Sequence, residues 1–210
     1  MSPAGKSDLN GSVQDRAPVA LVLIDVINDL EFDNGDALLQ HARPMAERLA
    51  ALKRRTRAAG IPAIYVNDNF GKWQSNFQQL LERCLAEGVR GRPVAELLVP
   101  EKDDYFVLKP KHSAFFSTTL DVLLEHLRAS TVILTGIAGN ICVLFSAADA
   151  HMRDFHLVVP ADCVASATTD DNEWALAQMA TVLGANVTLS RDLDLRSMVS
   201  ASPGDEKVRT

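Results

Sequence analysis

The segment TVILTGIAGNICVLFSAADAHM, residues 131–152, joins an apolar run, two glycines and the start of a helical pattern. The run TVILTG at 131–136 is typical of a strand that is buried on both faces. Gly136 and Gly139 allow a sharp backbone turn after the run, and Cys142 lies where the helical pattern begins. The segment therefore predicts a strand, a tight turn and a helix, with a thiol at the turn.

Strand and helix patterns alternate along the chain on both sides of this segment. Such alternation favours right-handed βαβ crossovers and a parallel sheet covered by helices on both faces. We predict an α/β fold with three α/β/α layers and a six-stranded parallel sheet. The predicted strands cover residues 17–25, 61–66, 105–109, 131–136, 156–162 and 185–189, and the predicted helices cover residues 36–59, 75–88, 119–130, 140–155 and 171–184.

A single domain accounts for most of the chain. The 210 residues are enough for one domain with a sizeable core. The polar ends of the sequence lack the apolar patterns of the middle, which is typical of unfolded segments. We predict a disordered lead-in at 1–17, one domain at 18–198 and a flexible tail at 199–210.

Composition and charge argue against several classes of partner and location. A net charge of −6 and a pI near 5.3 disfavour nucleic acid or an anionic membrane as the main partner. No run reaches the ~18–20 apolar residues of a membrane span, and the polar N-terminus lacks the apolar region of a secretory signal. Cys84, Cys142 and Cys163 lie far apart and form no disulfide framework. We predict a cytoplasmic protein.

Three reactive side chains follow three of the predicted strands. Asp25 ends the first strand, Lys109 ends the third, and Cys142 comes shortly after the fourth. Ligands of parallel α/β sheets bind beyond the carboxyl ends of the strands. An acid, a base and a thiol are therefore expected at one rim of the sheet.

These three residue types form a plausible nucleophilic site. A cysteine attacks as thiolate, and its ordinary pKa is about 8.5. The free N–H groups and the dipole at a helix start favour a thiolate at Cys142 and can also bind an oxyanion. Asp25 would accept the thiol proton and pass it to the leaving group, with its pKa raised by desolvation. Lys109 would stay a cation between them.

Each residue alone also has a purely structural interpretation. A buried cysteine is often a small apolar filler, which is how we interpret Cys84 and Cys163. Asp25 could form a turn or cap a helix, and Lys109 could be solvated. Placement of all three types at one rim favours the catalytic interpretation.

Three segments occur in an order that is specific when they are taken together. They are LIDVINDL at 23–30, VLKPKHSAFFSTTLDVLL at 107–124 and GIAGNIC at 136–142. In this order they resemble the isochorismatase-like cysteine hydrolases, a superfamily that includes nicotinamidases, carbamoylsarcosine amidases and ureidoacrylate amidases. The resemblance covers about residues 18–190.

This resemblance implies a fold and a set of site residues. It implies a Rossmann-like strand order and a catalytic triad of Asp25, Lys109 and Cys142. It implies a non-proline cis peptide bond between Ile137 and Ala138, which directs the N–H of Ala138, together with that of Cys142, at the oxyanion. It also implies a homodimer or a homotetramer.

The sequence departs from the family pattern at three places. Ile27 stands where the family usually has glutamine, and Gly139 stands near a usual threonine or serine. Nicotinamidases carry an Asp-x-His metal motif after the second strand, whereas here Asp68 is followed by Asn69 and Phe70. We therefore predict no catalytic metal and no cofactor, and we do not expect nicotinamidase activity.

The substrate pocket is less well defined by the sequence. Asn69, Trp73 and Phe116 are candidate pocket residues, but a turn role for the first and core or subunit contacts for the other two are equally open. Segments 67–78 and 89–104 are expected to shape the pocket. The absence of a GxGxxG motif after the first strand disfavours a dinucleotide enzyme.

We expect a metal-independent cysteine hydrolase that cleaves an amide-type C–N bond of a small molecule through a thioester. Two alternatives stay open. One is vinyl-ether hydrolysis of isochorismate, against which Cys142 counts, because family members with that activity lack the cysteine. The other is a non-catalytic binding or subunit module, which Ile27 and Gly139 keep open.

Overall fold

The structure of the protein is a computed structural model that describes residues 16–69 and 76–201. It contains a parallel sheet of six strands. The strands follow the order β3-β2-β1-β4-β5, and β6 pairs with the carboxyl end of β4. Every residue of β1 and β4 is buried, as expected for central strands covered on both faces. The strands are β1 Val19–Ile24, β2 Ala63–Asp68, β3 Tyr105–Lys109, β4 Thr131–Ile137, β5 His156–Val158 and β6 Val164–Ala165.

Helices cover both faces of the sheet and complete three layers. One apolar core includes Leu38 and Leu49 of α1 and Val94 of α3. The other core, on the opposite face, includes Leu124 of α4 and Ala147 of α5. The predicted α/β/α fold class is confirmed. The helices are α1 Gly35–Ala58, α2 Phe77–Leu85, α3 Arg92–Leu97, α4 Leu120–Leu127, α5 Leu144–His151, α6 Thr169–Thr181 and α7 Leu195–Ala201.

The sixth strand is not where the sequence predicted it. Residues 185–189 contribute one bridge to the sheet, between Asn186 and Val158. The side chain of Asn186 then accepts the N–H of Thr188, so the chain turns away after the bridge. The predicted fifth strand, 156–162, is also interrupted, because Pro160 has no N–H for a ladder and a 3₁₀ turn follows at Ala161–Cys163. The short β6 comes after that turn.

Several predicted boundaries also need correction. The second predicted helix, 75–88, is shorter, and the predicted loop 89–104 contains α3. Ala17, assigned to the lead-in, is buried and donates its N–H to Leu127 O at 2.8 Å. Helix α7 extends to residue 201, into the predicted tail. The rest of the lead-in, 1–15, and of the tail, 202–210, lie outside the described residues.

The carboxyl ends of β1 and β4 lie very close together. Ile24 pairs with Gly136 in the ladder, and Gly136 has a φ of +113°. A Cβ atom at that position would overlap the carbonyl oxygen of Ile24. Glycine is therefore required by both the conformation and the space, and it brings Asp25 next to the turn that carries Cys142. None of the helices in the described ranges has the length and the apolar composition that crossing a membrane requires.

Candidate active site

Lys109 lies between Asp25 and Cys142. Its Nζ is 2.8 Å from Asp25 Oδ2 and 3.6 Å from Cys142 Sγ. Lys109 is fully buried, Asp25 is nearly so, and Cys142 is partly buried. The three predicted side chains thus meet around one point at the carboxyl rim of the sheet.

A second carboxylate, which was not predicted from the sequence as part of the site, adjoins this group. Asp68 is the partner of Lys109 in the β2–β3 ladder. Its Oδ2 is 3.8 Å from Lys109 Nζ, and its N–H donates to Asp25 Oδ1 at 2.7 Å. The sequence signal was present, because Asp68 ends β2 just as Lys109 ends β3. The sequence does not give the register of β2 against β3, and it is this register that places Asp68 beside Lys109.

Burial and charge together determine the protonation of Asp25 and Lys109. Burial raises the pKa of Asp25, as predicted, against the opposing charge and hydrogen bond of Lys109. Burial alone would lower the pKa of Lys109, but Asp25, Cys142 and Asp68 outweigh it and raise that pKa above its ordinary value. Lys109 is therefore a cation that stabilises the nearby carboxylates.

The thiol of Cys142 does not have the low pKa that the sequence predicted. Burial raises the pKa of Cys142 to about 12, the charge of Asp25 adds to the rise, and Lys109 opposes it. The predicted helix start, moreover, is a π-helical turn at Gly139–Val143 that leads into α5. Cys142 is thus a thiol in the resting protein, and its proton has to leave as the sulfur attacks.

The turn before Cys142 has an unusual backbone. The peptide bond between Ile137 and Ala138 is cis, as the resemblance implied. The carbonyl of Ala138 accepts the N–H groups on both sides of Cys142, from Ile141 at 3.1 Å and Val143 at 3.2 Å. The N–H of Cys142 itself does not take part in these two bonds. Roles for Ala138 and Cys142 as oxyanion donors stay predictions.

Gly139 is enclosed by side chains of other elements. A Cβ atom there would lie 2.6 Å from Asn172 Oδ1, 2.7 Å from Val164 Cγ1 and 2.9 Å from Ser166 Oγ. Ser166 Oγ also accepts the N–H of Asn140 at 3.1 Å and is 3.1 Å from Asn172 Oδ1. Val164 of β6, Ser166 just after it and Asn172 of α6 therefore occupy the space that a threonine or serine side chain would take. The sequence pattern alone could not show this compensation.

Ile27 has an ordinary structural role. Its side chain is fully buried in the core on the α1 face. Its carbonyl accepts the side-chain amide N–H of Asn67 at 2.8 Å. Ile27 thus adds to the core, and its carbonyl holds the side chain of Asn67.

The structure describes two of the three candidate pocket residues. Asn69 is buried, and its N–H donates to Lys109 O at 3.1 Å. Phe116 has 54% of its surface exposed on the loop that follows β3. Trp73 lies outside the described residues. A substrate role for any of the three stays a prediction.

Within residues 16–69 and 76–201, no three histidine, cysteine or acidic side chains group as metal ligands. Asp68, which matches the acid of the nicotinamidase metal motif, lies beside the ammonium of Lys109. A cation at that place repels a metal ion, so the described residues do not fit one. Independence from metals and cofactors stays a prediction, as do a homodimer or homotetramer and a cytoplasmic location.

Comparison with known proteins assigns the chain to a family. The Isochorismatase domain family matches residues 19–192. The uncharacterized isochorismatase family protein YaaI of Bacillus subtilis (strain 168) is 41% identical over 178 residues, which are 85% of this chain and 97% of YaaI. The chain belongs to the isochorismatase family of hydrolases.

Solved structures of two amidases resemble this chain in fold. The pyrazinamidase/nicotinamidase of Streptococcus mutans UA159 has a TM-score of 0.64 and 26% identity, covering 80% of this chain and 99% of its own. The N-carbamoylsarcosine amidase of Thermoplasma acidophilum has a TM-score of 0.61 and 27% identity, covering 84% of this chain and 98% of its own. Both names describe enzymes that cleave a carbon–nitrogen bond.

Proposed function

We propose that this member of the isochorismatase family is a metal-independent cysteine hydrolase that cleaves an amide-type C–N bond of a small molecule. The observation that carries the proposal is the placement of Lys109 Nζ within 2.8 Å of the Asp25 carboxylate and 3.6 Å of the Cys142 sulfur. An acid–base group and a nucleophile held around one buried cation are the parts that acyl transfer requires. The amidase names of the two similar structures support a C–N bond as the target.

The first half of the reaction forms a thioester. Asp25 takes the proton of the Cys142 thiol while the sulfur adds to the amide carbon. The oxyanion is bound by the N–H groups of Ala138 and Cys142. Asp25 then gives the proton to the nitrogen, the C–N bond breaks, and ammonia or an amine leaves.

The second half regenerates the thiol. Asp25 removes a proton from water as the water oxygen adds to the thioester carbon. The C–S bond then breaks, the carboxylic acid leaves, and the sulfur recovers the proton from Asp25. Lys109 keeps its proton throughout and stabilises the charge that moves between the carboxylate and the sulfur. The raised pKa of Asp25 suits this exchange, because a stronger base holds the proton until it is needed.

A panel of small primary amides, ureido compounds and carbamoyl amines, assayed for release of ammonia or amine, tests the proposal. We expect turnover of at least one compound, and a thioester adduct of Cys142 trapped by acid quench and seen by mass spectrometry. Cys142→Ala should abolish both. Cys84→Ala is the matched control, because Cys84 is fully buried in the core on the α1 face and should not contribute.

Two results would contradict the proposal. One is full turnover by the Cys142→Ala protein. The other is turnover of isochorismate, with loss of its vinyl-ether side chain, by a protein that leaves every C–N substrate of the panel intact.

A further inference from the structure

We propose that Ser146 is a positioning residue that holds the lysine loop and the cysteine turn in register. The lysine loop is defined as residues 110–118, which follow Lys109. The inference rests on the proposed function, because it concerns the same triad. Ser146 lies in α5, one helical turn beyond Cys142, and it is fully buried.

The hydroxyl of Ser146 contacts both elements at once. It donates to the carbonyl oxygen of Cys142 at 2.6 Å and accepts the N–H of Ala114 at 2.9 Å. Ala114 belongs to the lysine loop. One buried oxygen therefore joins the backbone of the nucleophile to the loop that follows the catalytic lysine.

The loop in turn contacts the ammonium of Lys109. Lys109 Nζ donates to the carbonyl oxygen of Lys111 at 3.2 Å. A closed path of contacts thus runs from Lys109 Nζ through Lys111 and Ala114 to Ser146, then to Cys142, and returns across the 3.6 Å gap between Sγ and Nζ. Loss of the Ser146 hydroxyl opens this path.

Other contacts hold the loop against α5 and the turn after it without touching Cys142. The hydroxyl of Ser113 donates to Asp149, and the guanidinium of Arg153 lies over the ring of Phe115 at 5.0 Å. These contacts keep the loop docked when Ser146 is changed. The expected effect of a change at Ser146 is therefore a local shift, with the fold retained.

Removal of the hydroxyl leaves the N–H of Ala114 without a partner in a buried place. A buried unpaired polar group is costly, so the backbone is expected to move towards another partner. A displacement of about 1 Å at a catalytic group reduces rates by on the order of 10²-fold. Greater separation of Lys109 from Cys142 also removes the interaction that opposes the rise in the thiol pKa.

The test compares Ser146→Ala, Ser146→Thr and Thr56→Ala with the unchanged protein. Thr56 is the matched control, because its hydroxyl is equally buried and donates to a helix carbonyl, Lys53 O, at 2.8 Å, far along the chain in α1. The readouts are the melting temperature, turnover on an amide from the panel, and the rate at which iodoacetamide alkylates Cys142 from neutral to strongly alkaline pH. Alkylation is followed by mass spectrometry of the Cys142 peptide.

We expect Ser146→Ala to lose turnover by about 10²-fold and to shift the pH dependence of alkylation to higher pH. Ser146→Thr should restore both, and Thr56→Ala should lower the melting temperature without changing either. Equal pH profiles for the alanine variant and the unchanged protein would overturn the inference. So would equal losses in the alanine and threonine variants.

Failure of the proposed function gives a different pattern. If no amide is hydrolysed by the unchanged protein but the alkylation profile still shifts in Ser146→Ala, the positioning role stands and the amidase proposal fails.

Discussion

Lys109 Nζ and Asp25 Oδ2 lie 2.8 Å apart, and less than a tenth of either side chain is exposed. Removal of one partner of such a pair leaves a buried charge without compensation. Asp68, 3.8 Å from the same ammonium, offsets part of that loss. The effects of this pair on activity and on stability can be measured separately.

Asp25→Asn is expected to lose activity and to keep its stability. Activity should fall by about 10²–10⁴-fold, because no carboxylate takes the thiol proton. The free energy of unfolding at neutral pH should not fall, because the raised pKa of Asp25 means that the folded protein favours the uncharged form of this side chain. Amide turnover and urea denaturation measure the two effects.

Asp104→Asn is the control for this prediction. Asp104 pairs with buried Lys53 at 2.6 Å, and Tyr105, which follows it, begins β3 at the end opposite the catalytic rim. This variant should lose stability, because Lys53 is left as a buried charge without its partner, and it should keep its activity per folded molecule. Loss of activity in both variants alike would mean that Asp25 acts only through stability.

The reactivity of Cys142 should depend on pH in an unusual way. With its pKa raised to about 12, Cys142 should react with iodoacetamide more slowly than free cysteine at neutral pH. The rate should keep rising with pH where free cysteine levels off. Stopped alkylation at a series of pH values, with free cysteine as the reference, gives the comparison. If the rate for Cys142 levels off at a lower pH than the rate for free cysteine, the resting thiolate is favoured and the prediction is wrong.

The acid limb of the activity profile should reflect Asp25. Only the carboxylate form accepts the thiol proton, so kcat/KM should fall as pH falls through a pKa above the ordinary 3.8. The same shift has the opposite sign for stability: its contribution is full below 3.8 and is lost as pH rises through the raised pKa. Activity should therefore disappear at a pH where circular dichroism still shows a folded protein. Coincident loss of activity and fold would refute this assignment.

A side chain at Gly139 should be poorly tolerated. Gly139→Ser would press Cβ against Asn172 Oδ1 at 2.6 Å, at an expected cost of about 1–3 kcal/mol for overpacking. The double variant Gly139→Ser with Asn172→Ala should recover part of the loss, as measured by thermal unfolding. Additive losses in the double variant would mean that the two positions are not coupled.

The meeting of Asp25, Lys109 and Cys142 was easier to predict from the sequence than the edge of the sheet. Asp25, Lys109 and Cys142 each follow a long apolar run, and the geometry of parallel strands brings such positions to one rim. The sixth strand was misplaced because the run at 185–189 looks like a strand, while the true β6 has two residues and follows Pro160. Short pairings of that kind depend on partners elsewhere in the chain.

The protonation of Cys142 could not be predicted from local sequence for a related reason. A helix start favours a thiolate, but burial and the charge of Asp25 act against it. Both depend on tertiary packing. The contacts of Ser146 and Ser166 were missed because a single hydroxyl in a helix or loop carries no pattern in the sequence.

The glycine contact between β1 and β4 has a consequence for how this enzyme can diversify. Since Gly136 lies against the main chain of Ile24, Asp25 and the turn that carries Cys142 are aligned by two neighbouring strands at the centre of the sheet. Exposed side chains outside that pairing, such as Phe116, can change during evolution without moving it. New substrates can thus be acquired by exchanging the surroundings while the reacting atoms stay in place.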